Sequence, residues 1–448
     1  MKRFDMDYDI VIIGGGSAGF SAAIEARKLN AKVLLINDGL IGGTCVNVGC
    51  VPSKYLLKMA EIGKPFDYVV ENLPKIIEKM RREKYEELVE FYGFDFIRGK
   101  GKILSENDVE VNGKVFKTRY IIIATGSRPF IPPIKGLDTV PYLTNLNIFS
   151  LKELPKKLLI IGGGYIGVEL SQAFRRFGSE VYVVEMANQI LPQEDEDIAY
   201  TLKETLENEG VKIYTDCVVE SVSISNGNIS AKCKDKNGEF LLNATHILVA
   251  AGRMGNTEGL GLENIGVKVD GKRFVITDDT LRTSVKTIFA VGDVNGKSPF
   301  VYVGAREGKL AVRNALLSEN NKLNYNVVPY VVFTDPQVSG VGAGERFLKG
   351  LEIEYGKSVL DYNDIPIAGL IPNTKGFIKV LFSHNGKIIG VRIIGKLAGE
   401  LITPYTIAMG LGVSKDKLMD VLYPFLTFSE GIRLSLLENA EHLSCCAG

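Results

Sequence analysis

The sequence predicts an α/β protein: two doubly wound, parallel-sheet domains and a C-terminal α+β domain. Three observations predict it. Tyr8-Asp-Ile-Val-Ile-Ile-Gly14-Gly-Gly16-Ser-Ala-Gly19 reads as a short apolar strand, a Gly-x-Gly-x-x-Gly turn and the start of an Ala-rich helix, and Lys32-Val-Leu-Leu-Ile-Asn37 supplies a second strand. The same order recurs from Lys157 through Gly162, Gly164 and Gly167 to Glu180-Val-Tyr-Val-Val-Glu185, so the chain holds two opening βαβ units of a nucleotide fold. After about residue 327 the pattern changes to strands with Gly turns, then helices.

The glycines of each unit have separate duties. The first lets the chain turn tightly, the second lets backbone approach a pyrophosphate, and the third lets helix and strand pack closely. A phosphate then rests on the helix N-terminus, where free N–H groups and the dipole favour negative charge. Two such units, each closing on a polar strand end (Asn37, Glu185), imply two dinucleotides. Between them, residues from about 61 to 92 read as charged helices with a solvated face, and Glu194-Asp-Glu-Asp197 reads as a helix start, where acids suit the dipole. Strands ending at Ala124-Thr125-Gly126 and Ala250-Ala-Gly252 close the two halves.

Composition narrows the function. The 448 residues carry 53 basic and 53 acidic side chains, which leaves no field for nucleic acid or an anionic membrane. No apolar run approaches the roughly 18 residues of a membrane span, and the acid-bearing N-terminus lacks a secretory signal, so a cytoplasmic protein is expected. Six cysteines are too few for a disulfide scaffold. The three histidines, His246, His384 and His442, have no metal-ligand spacing. Cys217 and Cys233 stand apart and read as structural.

Chemistry concentrates in Gly42-Gly43-Thr44-Cys45-Val-Asn-Val-Gly-Cys50-Val-Pro52-Ser-Lys54. A C-x4-C beside a dinucleotide unit suits a redox-active dithiol. Pro52 favours a helix start, which would set Cys50 near a positive helix end and lower its thiol pKa.

That string resembles the active-site motif of the flavin-dependent pyridine nucleotide–disulfide oxidoreductases. So do Thr283-Ser…Ile288-Phe-Ala-Val-Gly292-Asp293 and Val332-Phe-Thr-Asp-Pro336-Gln, and the resemblance spans essentially the whole chain. It implies an FAD-binding domain in two segments, 1–148 and 273–326, an NAD(P)-binding domain at 149–272, and a dimerisation domain at 327–448 with a Cys-Cys tail. It implies a homodimer whose active site is shared between subunits. FAD would be held by Gly14, Gly16, Gly19, Asn37, Gly43, Thr44, Lys54, Gly101, Thr125, Gly126, Asp293 and Val301. The nicotinamide nucleotide would be held by Gly162, Gly164, Gly167, Glu185 and Gly252. Cys50 would face the flavin and Cys45 would be the outer thiol, with Lys54 and Glu169 as the pair beside the flavin.

Disulfide reductases of this family carry a histidine base in a His-Pro-Thr-x-x-Glu-like motif. The matching segment, Leu422-Tyr-Pro-Phe425-Leu-Thr-Phe-Ser-Glu430, has Phe425 there. General acid–base help is worth about 10²–10⁴-fold, so its loss counts against dithiol–disulfide exchange of the dihydrolipoamide dehydrogenase type. The tail, Leu443-Ser-Cys445-Cys446-Ala-Gly448, and Phe300-Val-Tyr302-Val are instead similar to the mercuric reductase branch. That resemblance implies thiol-bound Hg(II) as substrate, held by Cys45, Cys50, Cys445 and Cys446, because a soft cation prefers thiolates. Tyr165 stands where some members have a site tyrosine. Phe425 departs from the branch's usual tyrosine, with Tyr423 two residues away. The first strand begins near residue 8, so the branch's additional N-terminal metal-binding domain is expected to be absent. Glu185 lies about 18 residues beyond Gly167 and suits a ribose 2′-hydroxyl, and Met186-Ala-Asn188 offers no arginine for a 2′-phosphate, so NADH is expected over NADPH. A thiol protein that only sequesters soft metal is the remaining alternative, and intact nucleotide motifs argue against it.

Overall fold

The computed structural model describes residues 6–437 apart from 226 and 373. The first sheet is built around Tyr8–Ile13, with Val33–Asn37 and Asp95–Arg98 on one side and Lys114–Ile123, then Ile288–Ala290, on the other. Its central pairs are parallel, with Ile13 opposite both Ile36 and Ile123. Ile10 to Ile13 are all buried, the continuous apolar run that a parallel strand covered on both faces requires. The returning strand brings with it the helix Val301–Leu316, which lies on the first helix, Ser17–Lys28. Their approach is close because Gly308 meets backbone: a Cβ there would fall 2.3 Å from the Ala18 carbonyl oxygen.

The second sheet repeats the plan with Lys212–Tyr214, Glu180–Val184, Lys157–Ile161, His246–Val249 and Tyr142–Leu143, all parallel. Its edge strand at Tyr142–Leu143 precedes the expected start of that domain at residue 149. An antiparallel meander, Val218–Ser225, Asn228–Asp235 and Gly238–Ala244, is inserted before its last long strand. Past the two closing strands, Ser127–Pro129 and Arg253–Gly255 pair antiparallel and tie the halves together. The C-terminal sheet runs Tyr330–Val332, Gln337–Gly342, Ile388–Gly395, Phe377–Phe382 and Gly356–Asp361, all antiparallel, with Ala398–Leu411 packed on it. Among the described residues no helix is long and apolar enough to cross a membrane.

Two sequence expectations hold and gain detail from the structure. The acids at 194–197 do begin a helix, Glu196–Asn208, but Glu194 and Asp195 are buried rather than merely near its dipole. Lys379, 0% exposed on the C-terminal sheet, sets its ammonium 2.8 Å from Asp195, 2.7 Å from Asp197 and 2.8 Å from Glu345, and the Arg392 Nε lies 3.2 Å from Glu194. The lysine is the cation that this acidic group would otherwise demand. The stretch from 61 to 92 is likewise only partly solvated. Its helix Phe66–Arg81 passes through a π-turn, Arg82–Glu86, which presses the Tyr85 ring against Phe20 at 4.8 Å, while Arg81 donates to Asn47 at 3.2 Å.

Candidate active site

Both glycine turns form at the C-terminal end of the first strand of their sheet. Gly14 and Gly162 take φ of +119° and +111°, and a Cβ would strike the carbonyl oxygens of Ala124 at 2.2 Å and Ala250 at 2.4 Å. Gly19 and Gly167 press their helices onto the turn, with a Cβ falling 1.9 and 2.0 Å from the oxygens of Gly14 and Gly162. Gly16 and Gly164 cap the two helices with no side-chain bond, which leaves those N-termini open to an anion. The strand-end residues match as well: Asn37 Oδ1 accepts from the Gly15 N–H at 2.8 Å, and Glu185 Oε2 from the Gly163 N–H at 2.6 Å. Glu185 Oε1 also accepts from the Ala187 N–H at 2.8 Å. Two bare helix ends, each beside a fixed oxygen acceptor, fit two dinucleotides.

The dithiol sits where helix Gly43–Val48 gives way to Cys50–Glu61 at Gly49. Cys50 is the first residue of its helix, with Pro52 buried behind it, so the helix end acts on its sulfur. A hydrogen bond from Cys45 and the nearby Lys54 charge bring the Cys50 thiol down to about 7 against the opposition of burial. Cys45 moves the other way, pushed well up by its bond to Cys50 and by burial. The pair thus shares its protons unequally, with the thiolate on Cys50.

Lys54, one turn along from Cys50, reaches Glu169 at 2.7 Å across 115 residues of sequence. Glu169 lies on the helix Tyr165–Arg176, and its other oxygen accepts from the Phe333 N–H at 2.9 Å. The Lys54 ammonium also stands 4.7 Å over the Phe333 ring. One carboxylate therefore fastens the dithiol helix, the second domain and the C-terminal domain. Tyr165 opens that second helix and stacks on Tyr330, ring centroids 5.8 Å apart at 14°, with Arg392 on Tyr330 at 5.6 Å. Burial and Glu194 push the Tyr165 phenol up, so it remains protonated. Asp293 accepts from Ser127 at 2.7 Å, and Arg253 donates to the same Ser127 hydroxyl at 2.6 Å. Just before it, the Gly292 N–H donates to buried Glu307 at 2.6 Å, which also takes Asn295 at 2.8 Å and Tyr325 at 2.5 Å.

A single cleft of about 1630 Å³ joins these parts. It is lined by Gly14, Gly16, Asn37, Gly43, Thr44, Cys45, Cys50, Lys54, Thr125, Gly126, Asp293 and Val301, and equally by Gly162, Gly164, Tyr165, Glu169, Glu185 and Gly252. Gly19 and Gly167 lie behind it as packing residues, and Gly101 is buried against Ile13, away from the lining. Cys445, Cys446 and His442 lie outside the described residues. Phe425 is 63% exposed, and the Tyr423 hydroxyl is committed to the Leu418 carbonyl at 2.9 Å. Neither His246 nor His384 lines the cleft. Sequence reasoning missed Tyr330, Phe333, Arg253 and Glu307. Glu307 had a visible signal, an acid on the buried stripe Val303–Glu307–Leu310–Ala311–Asn314, whereas the other three gain their places only through contacts between domains.

Comparison with known proteins gives consistent matches. Residues 8–308 match the family described as pyridine nucleotide-disulphide oxidoreductase, and residues 328–436 match its dimerisation domain. Mercuric reductases from Bacillus cereus and Staphylococcus aureus are each 38% identical over 99% of this chain, covering 73% and 85% of those proteins. Mercuric reductase from Streptomyces lividans is 34% identical, with 100% of both chains covered. Among solved structures, the HOCl-induced flavoprotein disulfide reductase RclA from Escherichia coli superposes with a TM-score of 0.88 at 30% identity, over 96% of this chain and 99% of that one.

Proposed function

Since this chain belongs to the pyridine nucleotide-disulphide oxidoreductase family, we propose that it is a mercury(II) reductase, drawing electrons from NAD(P)H and working as a homodimer. The observation that carries the reading is the unequal dithiol in the common cleft, in a chain similar over its whole length to mercuric reductases. FAD, when bound, supplies the two-electron link between nicotinamide and the dithiol site. The chain's residues do the rest. The open helix ends at Gly16 and Gly164 take the two pyrophosphates, and Asn37 and Glu185 offer oxygens to the riboses. Cys45 and Cys50 together take the soft cation, Cys50 with its thiol lowered toward neutrality and Cys45 releasing its proton as it becomes a ligand. Lys54 holds positive charge beside this site and is kept in place by Glu169. Reducing Hg(II) to the element takes two electrons and no proton, so no histidine is needed in the cleft, and Phe425 is tolerable. Tyr423, whose hydroxyl donates to the Leu418 carbonyl, takes no part in the chemistry.

The tail thiols Cys445 and Cys446 deliver the metal, in this proposal, to the partner's dithiol by ligand exchange. The test is NADH oxidation by the purified holoenzyme with mercuric chloride in excess small thiol, beside a Cys445→Ala/Cys446→Ala variant. Mercury-dependent oxidation with mercury vapour released, strongly reduced in the variant, is expected. Absence of mercury-dependent turnover together with good dihydrolipoamide oxidation by NAD would overturn the proposal. We also infer that NADH is preferred, because a 2′-phosphate would approach the Glu185 carboxylate, which two backbone N–H groups already fix in place. Equal or faster turnover with NADPH at matched subsaturating concentration would contradict that preference.

A further inference from the structure

The two cysteines that stand apart in sequence meet in the second domain. Cys217 immediately precedes the strand Val218–Ser225, and Cys233 lies in Asn228–Asp235, whose antiparallel register sets Val219 opposite Cys233. Residues two apart along an extended chain face the same side, which carries Cys217 toward Cys233 as well. Both side chains therefore lie on one apolar face of this ribbon, with Cys217 diagonal to Cys233. Both belong to the apolar cluster of Tyr182, Val184, Val219 and Val222, 1% and 0% exposed. Cys217 also borders the common cleft, and its N–H donates to the Glu185 carbonyl at 3.1 Å. A pair of sulfurs therefore lies directly behind the residue assigned to the nicotinamide nucleotide's ribose.

We propose that Cys217 and Cys233 form a second thiolate site for a soft cation, Hg(II), and that filling it obstructs binding of the nicotinamide dinucleotide. The metal arrives as a bis-thiolate of a small thiol and exchanges both ligands. Two protein S–H bonds and the two Hg–S bonds to the small thiol break, two Hg–S bonds to the protein form, both protons leave on the released small thiols, and no electron moves. Burial pushes the Cys217 thiol up and, with its neighbouring sulfur, pushes Cys233 up to about 12. That burial disfavours a bare thiolate and so withholds the pair from thiol–disulfide exchange. It does not disfavour a bis-thiolate of a divalent cation, whose net charge is zero. A metal seated between these sulfurs takes up room in a packed apolar cluster and displaces the Cys217 segment, which is tied by its N–H to the backbone of Glu185. Excess substrate would thus close the enzyme from the nucleotide side. The inference rests on the mercury reading for the identity of the cation.

The test uses the full-length holoenzyme with Cys45, Cys50, Cys445 and Cys446 replaced by serine, which leaves Cys217 and Cys233 as the only thiols of the original six. It is incubated with Hg(II) in excess glutathione and desalted. Metal is then measured by elemental analysis and NADH affinity by equilibrium dialysis. The expected result is about one mercury per chain and NADH binding weakened about tenfold, both abolished by a further Cys233→Val change. Metal that passes through unretained, or retained metal that leaves NADH affinity unchanged, overturns the proposal. If the quadruple variant loses its flavin, a Cys217→Val/Cys233→Val variant of the otherwise unchanged holoenzyme decides instead: after the same incubation it must retain about one mercury fewer per chain than the wild type. No turnover is read, so a wild-type enzyme that fails to reduce mercury while this site retains it would sink the proposed activity and leave this inference standing.

Discussion

Cys45 and Cys50 are chemically identical thiols that the fold makes unlike. Cys50 has a helix beginning at it, Lys54 one turn on and Cys45 donating to it; Cys45 has burial and the role of donor. With the Cys50 pKa lowered from 9.0 to about 7, its thiolate persists at and above neutrality and is lost as pH falls through about 7. Alkylation of Cys50 in the reduced holoenzyme, followed by peptide mass spectrometry, should therefore rise with a midpoint near 7, and Lys54→Met should move that midpoint upward. A midpoint near 9.0 would show that the asymmetry is not present in solution. The cysteine spacing, Pro52 and Lys54 were readable in one stretch of sequence. The partners Phe333 and Tyr330 were not, because nothing local distinguishes a strand residue that meets another domain from one that meets water.

Secondary structure announced itself wherever apolar pattern and glycine position agreed, as in the two βαβ units. It was less legible where long-range packing intervened. The π-turn at Arg82–Glu86 re-aims Tyr85 toward Phe20, and a run rich in Arg, Glu and Lys gives no hint of that. The contact between Ser17–Lys28 and Val301–Leu316 depends on small residues on both helices, Ala18 against Gly304 and Gly308. Gly308→Val would drive a side chain into the Ala18 carbonyl, and overpacking of this kind costs about 1–3 kcal/mol. Urea unfolding followed by flavin fluorescence should show that loss, with FAD released at a lower denaturant midpoint than in the parent. An unchanged midpoint would mean that the helices can separate freely.

At the scale of the whole molecule, the domains are joined by buried charge as well as by apolar surface. Lys379 among Asp195, Asp197 and Glu345, and Arg392 beside Glu194, hold the second domain to the third, and Glu169 adds the dithiol helix to that union. The sequence showed the acids but not their lysine, which lies in a strand 182 residues from Asp197. The dimerisation domain makes the proposed sharing of the active site testable by mixing subunits. A Cys45→Ser/Cys50→Ser subunit and a Cys445→Ala/Cys446→Ala subunit are each expected to be inactive as homodimers. Refolded together in equal amounts, they should recover about a quarter of the wild-type mercury turnover if each tail serves its neighbour, since one site in each mixed dimer is whole. No recovery would place tail and dithiol in the same subunit.

The return of Ile288–Ala290 to the first sheet, with Val301–Leu316 behind it, also fixes the order in which a newborn chain can be completed. The second sheet has all its strands once Val249 is made, whereas the first waits for its last strand and its covering helix. At translation speeds of about 5–20 residues per second, the apolar side of Ser17–Lys28 stays uncovered for roughly 15–60 s. Of the two nucleotide domains, the one whose first strand comes earlier in the chain is thus the later one to finish, with its apolar helix face exposed in the meantime.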